Sequence, residues 1–109
     1  MQPVVRVSIL RCEAERFAEI RQTMVDADPV LRPGVAAMPG LLAFYAGADE
    51  ATSSLTNVSI WTSLDAAKQL DTFQPMLDLG KAFVAKGVTF ERPVMNYATL
   101  WQLEGPAVR

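Results

Sequence analysis

Two short stretches in which side-chain character alternates residue by residue constrain this chain more than any other feature. Val4–Leu10 sets Val5, Val7 and Ile9 against Arg6 and Ser8, and Leu55–Thr62 sets Val58 and Ile60 against Asn57, Ser59 and Trp61. A period of two marks an extended strand, because successive side chains leave opposite faces of the pleat. Each strand therefore has one purely apolar face and one mixed face, and the fold must accommodate two surfaces that differ in kind.

Between and beyond these strands the period changes. From Glu13 onward Phe17, Ile20 and Met24 recur at helical spacing, with charged residues on the remaining surface and Glu13 and Glu15 suited to the positive end of the helix macrodipole. Asp28-Pro29 is expected to end this helix and start a second short one. After Pro39-Gly40, the apolar run Leu41–Ala46 reads as the second strand, and the polar residues 49–54 return the chain to the third. Ser63 is a suitable N-cap for a helix starting at Leu64. Pro75 can open a further helical stretch whose Met76, Leu79, Phe83 and Val84 share one face, with Gly87 at its C-terminal end. Val94–Leu103, limited by Pro93, supplies a fourth strand.

The order strand, helix, strand, strand, helix, strand is the split β-α-β pattern. It predicts an α+β domain over residues 1–109: a ferredoxin-like βαββαβ antiparallel sheet, spatial order 4-1-3-2, with helices on one face. The opposite face would be bare in a monomer. With 109 residues, half of them hydrophobic and a fifth charged, the chain is too apolar for disorder and too small to bury all its apolar surface alone. We expect a homodimer formed through the bare sheet face.

Composition also removes whole chemistries. There is no histidine, so no Ser-His-Asp triad, no His-ligated zinc or haem and no imidazole base. The one cysteine, Cys12, can form neither an internal disulfide nor a Cys-rich metal site, and reads as a small filler at a strand-to-helix junction. A net charge of -2 with scattered basic residues gives no footprint for nucleic acid. No run approaches the roughly 20 apolar residues of a membrane span, and no leader pattern follows the N-terminus. The expectation is a soluble cytoplasmic protein.

The βαββαβ order, the Pro39-Gly40-Leu41 lead-in to the second strand, and the run Asn57-Val58-Ser59-Ile60-Trp61-Thr62-Ser63 into a helix together resemble the antibiotic biosynthesis monooxygenase-like family of dimeric α+β barrels. The resemblance implies two sheets packed face to face across a two-fold axis, with a pocket in each subunit. Some members oxygenate anthrone-type or quinol substrates with dioxygen and without metal or flavin. In that subgroup an asparagine and a tryptophan four residues apart on the third strand contribute to the site, and Asn57 and Trp61 match that spacing. Haem-degrading relatives ligate iron through a histidine, which this chain lacks. No cofactor and no metal are therefore expected.

The candidate catalytic residues are Arg6, Asn57 and Trp61. Arg6 stands in the middle of a central strand, where a charge is costly unless paired, solvated or facing an anion. It could pair across an interface or steady a phenolate or enolate. Asn57 could bind a substrate oxygen or satisfy nearby backbone. Trp61 could flank an aromatic ring or serve as packing. Ser8 and Ser59 are small polar lining, without a base that would make either a nucleophile. Tyr45 is assigned to the barrel side and, with Tyr97, is a candidate for binding a small aromatic ligand. We expect Arg6, Ser8, Asn57, Ser59 and Trp61 to gather on the sheet face away from the helices. Two functions fit: a cofactor-independent monooxygenase for a phenolic or quinol-type substrate, or a non-catalytic homodimer that binds a small ligand or serves only as structure.

Overall fold

The computed structural model describes residues 2–108. Strand β1 (Val4–Arg11) leads through a 3-10 turn at Ala14–Arg16 into helix α1 (Phe17–Ala36). Strands β2 (Leu41–Asp49) and β3 (Ser54–Trp61) follow, then the single-turn helix α2 (Leu64–Ala67), a 3-10 turn (Lys68–Thr72) and helix α3 (Gln74–Ala85). The chain closes with β4 (Thr89–Phe90) and β5 (Met95–Ala98). All strand pairs are antiparallel in the order β2-β3-β1, with β4 and β5 both pairing β1. This is the order expected from the sequence, the last strand being divided in two. The division falls at a cis Arg92-Pro93 peptide, while the Glu91 N–H donates to the Ile9 carbonyl at 2.9 Å and keeps the edge attached to β1.

Local chemistry sets the corners. Gly40 has φ +86°, and a Cβ there would lie 2.6 Å from Thr62 Oγ1 and 2.7 Å from the Ala66 Cβ. Only glycine lets β2 start this close to the β3–α2 junction. The Ser63 hydroxyl accepts from the Ala66 N–H at 3.1 Å, the N-cap anticipated for α2. Pro75 sits in the first turn of α3, where a missing N–H costs nothing.

Helix α1 departs from expectation: it runs unbroken through Pro29 and Pro33. The two internal prolines together cost about 6 kcal/mol. Continuing the helix past them buries Leu31 and Val35 against the sheet, and burying each returns about 1.5–3 kcal/mol, which offsets much of that cost. The Asp28 carboxylate also accepts from Arg32 Nε at 2.6 Å and Nη2 at 2.7 Å, bracing the helix across Pro29. That pairing holds the Asp28 carboxyl below, and the Arg32 guanidinium above, their ordinary pKa values. Val84 also departs from its expected core position and is exposed, while Phe83 beside it is buried.

The register decides which residues share a face, because residues directly opposite one another project the same way. One cross-strand row runs Tyr97, Val5, Ile60, Ala43, and the next runs Met95, Val7, Val58, Tyr45. These rows form the bare face. The alternate rows face the helices: Asn96, Arg6, Ser59, Phe44 and then Ser8, Asn57, Ala46. The expectation for the mixed set is thereby corrected, since Arg6, Ser8, Asn57, Ser59 and Trp61 lie under the helices and not away from them.

The core is split accordingly. One buried cluster surrounds Trp61 with Val4, Leu31, Val35 and Leu70, and a second joins Leu10, Phe17, Ile20, Leu55 and Phe83. On β1, Arg6 and Ser8 separate Val4 from Leu10, and on β3, Asn57 and Ser59 separate Trp61 from Leu55. Four polar residues thus interrupt the apolar layer at its centre.

Candidate functional site

A cleft of about 1010 Å³ opens over this interruption, between the middle of β1 and β3 and helix α3. Arg6, Ser8, Asn57 and Ser59 form its floor, Phe44, Leu70, Met76, Leu79 and Phe83 its apolar walls, and Asp71, Gln74 and Asn96 add polar groups. Apolar walls with a few placed polar groups are the usual make-up of a small-molecule site. A second groove of about 630 Å³ lies between α1 and β2 and shares Phe44 and Asn57 with the cleft.

Arg6 is 9% exposed, and its Nη2 donates to the Asp71 carboxylate at 2.5 Å. Nη1 makes a long contact of 3.5 Å to the Asn96 side-chain oxygen. A guanidinium keeps its charge in any protein setting, and Asp71, half exposed in the 3-10 turn before α3, fixes its orientation from the solvent side. The remaining N–H groups of Arg6 are directional donors for an anion in the cleft.

Asn57 is the anomaly. Its side-chain oxygen is buried and accepts no hydrogen bond from any described residue. Leaving such an acceptor unsatisfied costs about 1–3 kcal/mol. At the floor of an open cleft such an acceptor is available to a donor from water or from a ligand.

Trp61 has no exposed surface, and its indole N–H donates to the Ser59 hydroxyl at 2.8 Å. It packs in the core and orients Ser59; it does not line the cleft. Tyr45 and Tyr97 are 62% and 51% exposed on the opposite, bare face. Tyr45 and Tyr97 both lie on the sheet face away from the helices, so neither tyrosine can sandwich a ring with Trp61, and both are separated from Arg6 and Asn57 by the thickness of the sheet. The alternation that puts Arg6 under the helices necessarily sends Tyr45 and Tyr97 the other way.

Asp71 and Gln74 had no signal in the sequence. Asp71 belongs to an irregular turn 65 residues from Arg6, and no spacing rule joins the two. Asn96 was discoverable in principle, since it stands opposite Arg6 once β5 is in register. Cys12 is the filler it resembles: half-buried, its thiol pushed up in pKa by burial more than Arg16 lowers it, with Sγ 3.5 Å from the Ser53 carbonyl oxygen. No cluster of three or more histidine, cysteine or acidic side chains able to hold a metal lies among the described residues, and none of their helices is long and apolar enough to cross a membrane.

No family model and no curated protein matches the sequence. Solved structures do match. A candidate antibiotic biosynthesis monooxygenase from Deinococcus radiodurans superposes with a TM-score of 0.72 at 18% identity, over 93% of this chain and 96% of that one. SnoaB, a cofactor-independent oxygenase from Streptomyces nogalater, in an asparagine-to-alanine mutant form, gives 0.70 at 17% identity, over 96% of this chain and 100% of its own. A candidate antibiotic biosynthesis monooxygenase from Caulobacter crescentus gives 0.66 at 15% identity, over 92% of each chain. The chain shares the fold of these solved proteins. At these identities the likeness is one of backbone architecture, and the ferredoxin-like α+β class expected from the sequence is the class observed. On this fold the central strands β1 and β3 supply the cleft floor, and the helices close it from one side.

Proposed function

We propose that the chain is a cofactor-independent oxygenase for a small phenolic or quinol-type aromatic, working as a homodimer whose subunits meet through the bare sheet face. The single observation that carries the reading is the buried Asn57 side-chain oxygen, without a partner among the described residues, on the same apolar-walled cleft floor as Arg6. A substrate hydroxyl donates to Asn57, and Arg6 favours the ionised substrate, lowering the free energy of its phenolate or enolate. SnoaB, with the same fold, is a cofactor-independent oxygenase, which supports the reaction class.

The chemistry balances without an added reductant. For an anthrone, the substrate loses a proton to solvent, and its anion passes one electron to dioxygen. The resulting radical pair closes a C–O bond to give a peroxide. Loss of the second C–H hydrogen as a proton then breaks the O–O bond, leaving a ketone and releasing water. Substrate loses four electrons and dioxygen gains four. The protein's part is to hold the aromatic in the cleft, keep it ionised through Arg6, fix its oxygen through Asn57 and limit water along the apolar walls. Asp71 is a positioning residue for Arg6.

Oxygen-electrode measurements with an anthrone and a hydroquinone panel test the proposal. One dioxygen consumed per anthrone converted to the quinone, at a rate saturable in substrate and well above the buffer reaction, is the expected result. Uptake no faster than in buffer across the panel overturns the oxygenase reading.

A further inference from the structure

The charge of the cleft runs against the charge of the chain. Acidic residues outnumber basic ones 12 to 10 in the sequence, yet the described residues lining the cleft include Arg6, Lys81 and Arg92 against one carboxylate, Asp71. Arg6 is matched by Asp71, so Lys81 and Arg92 are the surplus. Neither forms an ion pair among the described residues. They come from different walls: Lys81 from α3, Arg92 from the segment joining β4 to β5. Arg92 is also held in place, its guanidinium carbon 4.9 Å from the centroid of the Phe90 ring, which itself lines the cleft and meets Phe83 edge-on at 6.4 Å.

We infer that the ligand of this cleft is an aromatic carboxylate, its acid group lying between Lys81 and Arg92 while its hydroxyl end reaches Arg6 and Asn57. A neutral aromatic would take the apolar walls but make no use of the two cations at their edge. A carboxylate answers both, and a guanidinium already oriented over Phe90 loses little freedom in binding it. Cations on the walls of a concave surface also raise the local concentration of anions, an effect weakened by salt. The inference rests on this cleft being the ligand site, as proposed above, and does not depend on oxygenation.

Calorimetric titration with anthraquinone-2-carboxylate and with its neutral carboxamide, compounds inert to dioxygen, tests it. The carboxylate is expected to bind about tenfold more tightly at low ionic strength, the scale of one charge-assisted contact, with the preference shrinking in 0.5 M salt. In a Lys81→Gln, Arg92→Gln double variant the two ligands should bind alike and the carboxamide affinity should be unchanged. Both residues are exposed, so folding is not at stake. Equal binding in the unmodified protein, a preference that survives in the double variant, or no binding of either compound overturns the inference. A carboxylate preference without oxygen uptake on the anthrone panel would leave it standing while ending the oxygenase reading, and uptake without the preference would do the reverse.

Discussion

In the proposed dimer, replacing Val58 with aspartate is expected to separate the subunits into folded monomers. Val58 sits in the middle of the bare face, in the row formed with Met95, Val7 and Tyr45. Val5, Val7, Ile9 and Ile60 surround it, so this face offers a partner a nearly continuous apolar surface. A carboxylate there would be taken out of water on association and, near a two-fold axis, would face its own copy. Desolvating an unpaired charge costs several kcal/mol, and about 4 kcal/mol corresponds to a thousandfold weaker dimer. In the monomer the same position is only partly covered, so the fold should survive. Sedimentation equilibrium with a parallel far-ultraviolet spectrum reads the result. A variant still dimeric at the wild-type affinity, or a wild-type protein that is itself monomeric, would show that this face is not the interface.

The second large effect is on turnover. Arg6→Met should lower kcat/KM for oxygen uptake with an anthrone by about 10²–10³-fold, the loss seen when one preorganised donor to a developing anion is removed. Methionine keeps most of the packing of the arginine stem between the two core clusters. Asp71, relieved of its partner, is half exposed and can be hydrated, so no unpaired charge is left buried. The thermal transition should therefore move little while turnover collapses. The loss should be smaller for substrates whose reactive proton is more acidic, because they need less help to ionise. A uniform loss across substrates of different acidity would assign Arg6 to binding alone.

The strands, their order and the existence of two unlike faces were legible because period-two alternation is a backbone property: Val5, Val7 and Ile9 must point together whatever covers them. What covers them was not legible. An apolar face is the natural seat for helices, so Arg6 and Asn57 were expected on the far side. Alternation alone does not say which of two unlike faces takes the helices, and here they cover the one on which Arg6, Ser8, Asn57 and Ser59 interrupt the apolar layer. Pro29 and Pro33 misled for a related reason, since local preference pointed to a break and the burial of Leu31 and Val35 opposed it. Asp71 was invisible because its pairing with Arg6 is set by tertiary placement of an irregular turn. Trp61 matched the family spacing and yet is sealed in the core, showing that spacing along a strand fixes a face but not depth.

In the proposed function the Asn57 oxygen is kept for a ligand donor and not for the fold, and a paired measurement on Asn57→Leu separates the two roles. Leucine has similar volume and no polar group to leave unsatisfied. Melting temperature should stay the same or rise by up to about 5 °C, in line with relief of roughly 1 kcal/mol in a domain of this size. Oxygen uptake with an anthrone should fall about a hundredfold in the same preparation. A variant that melts lower and turns over substrate at the wild-type rate would show that Asn57 serves the fold and not the ligand, and would contradict the account.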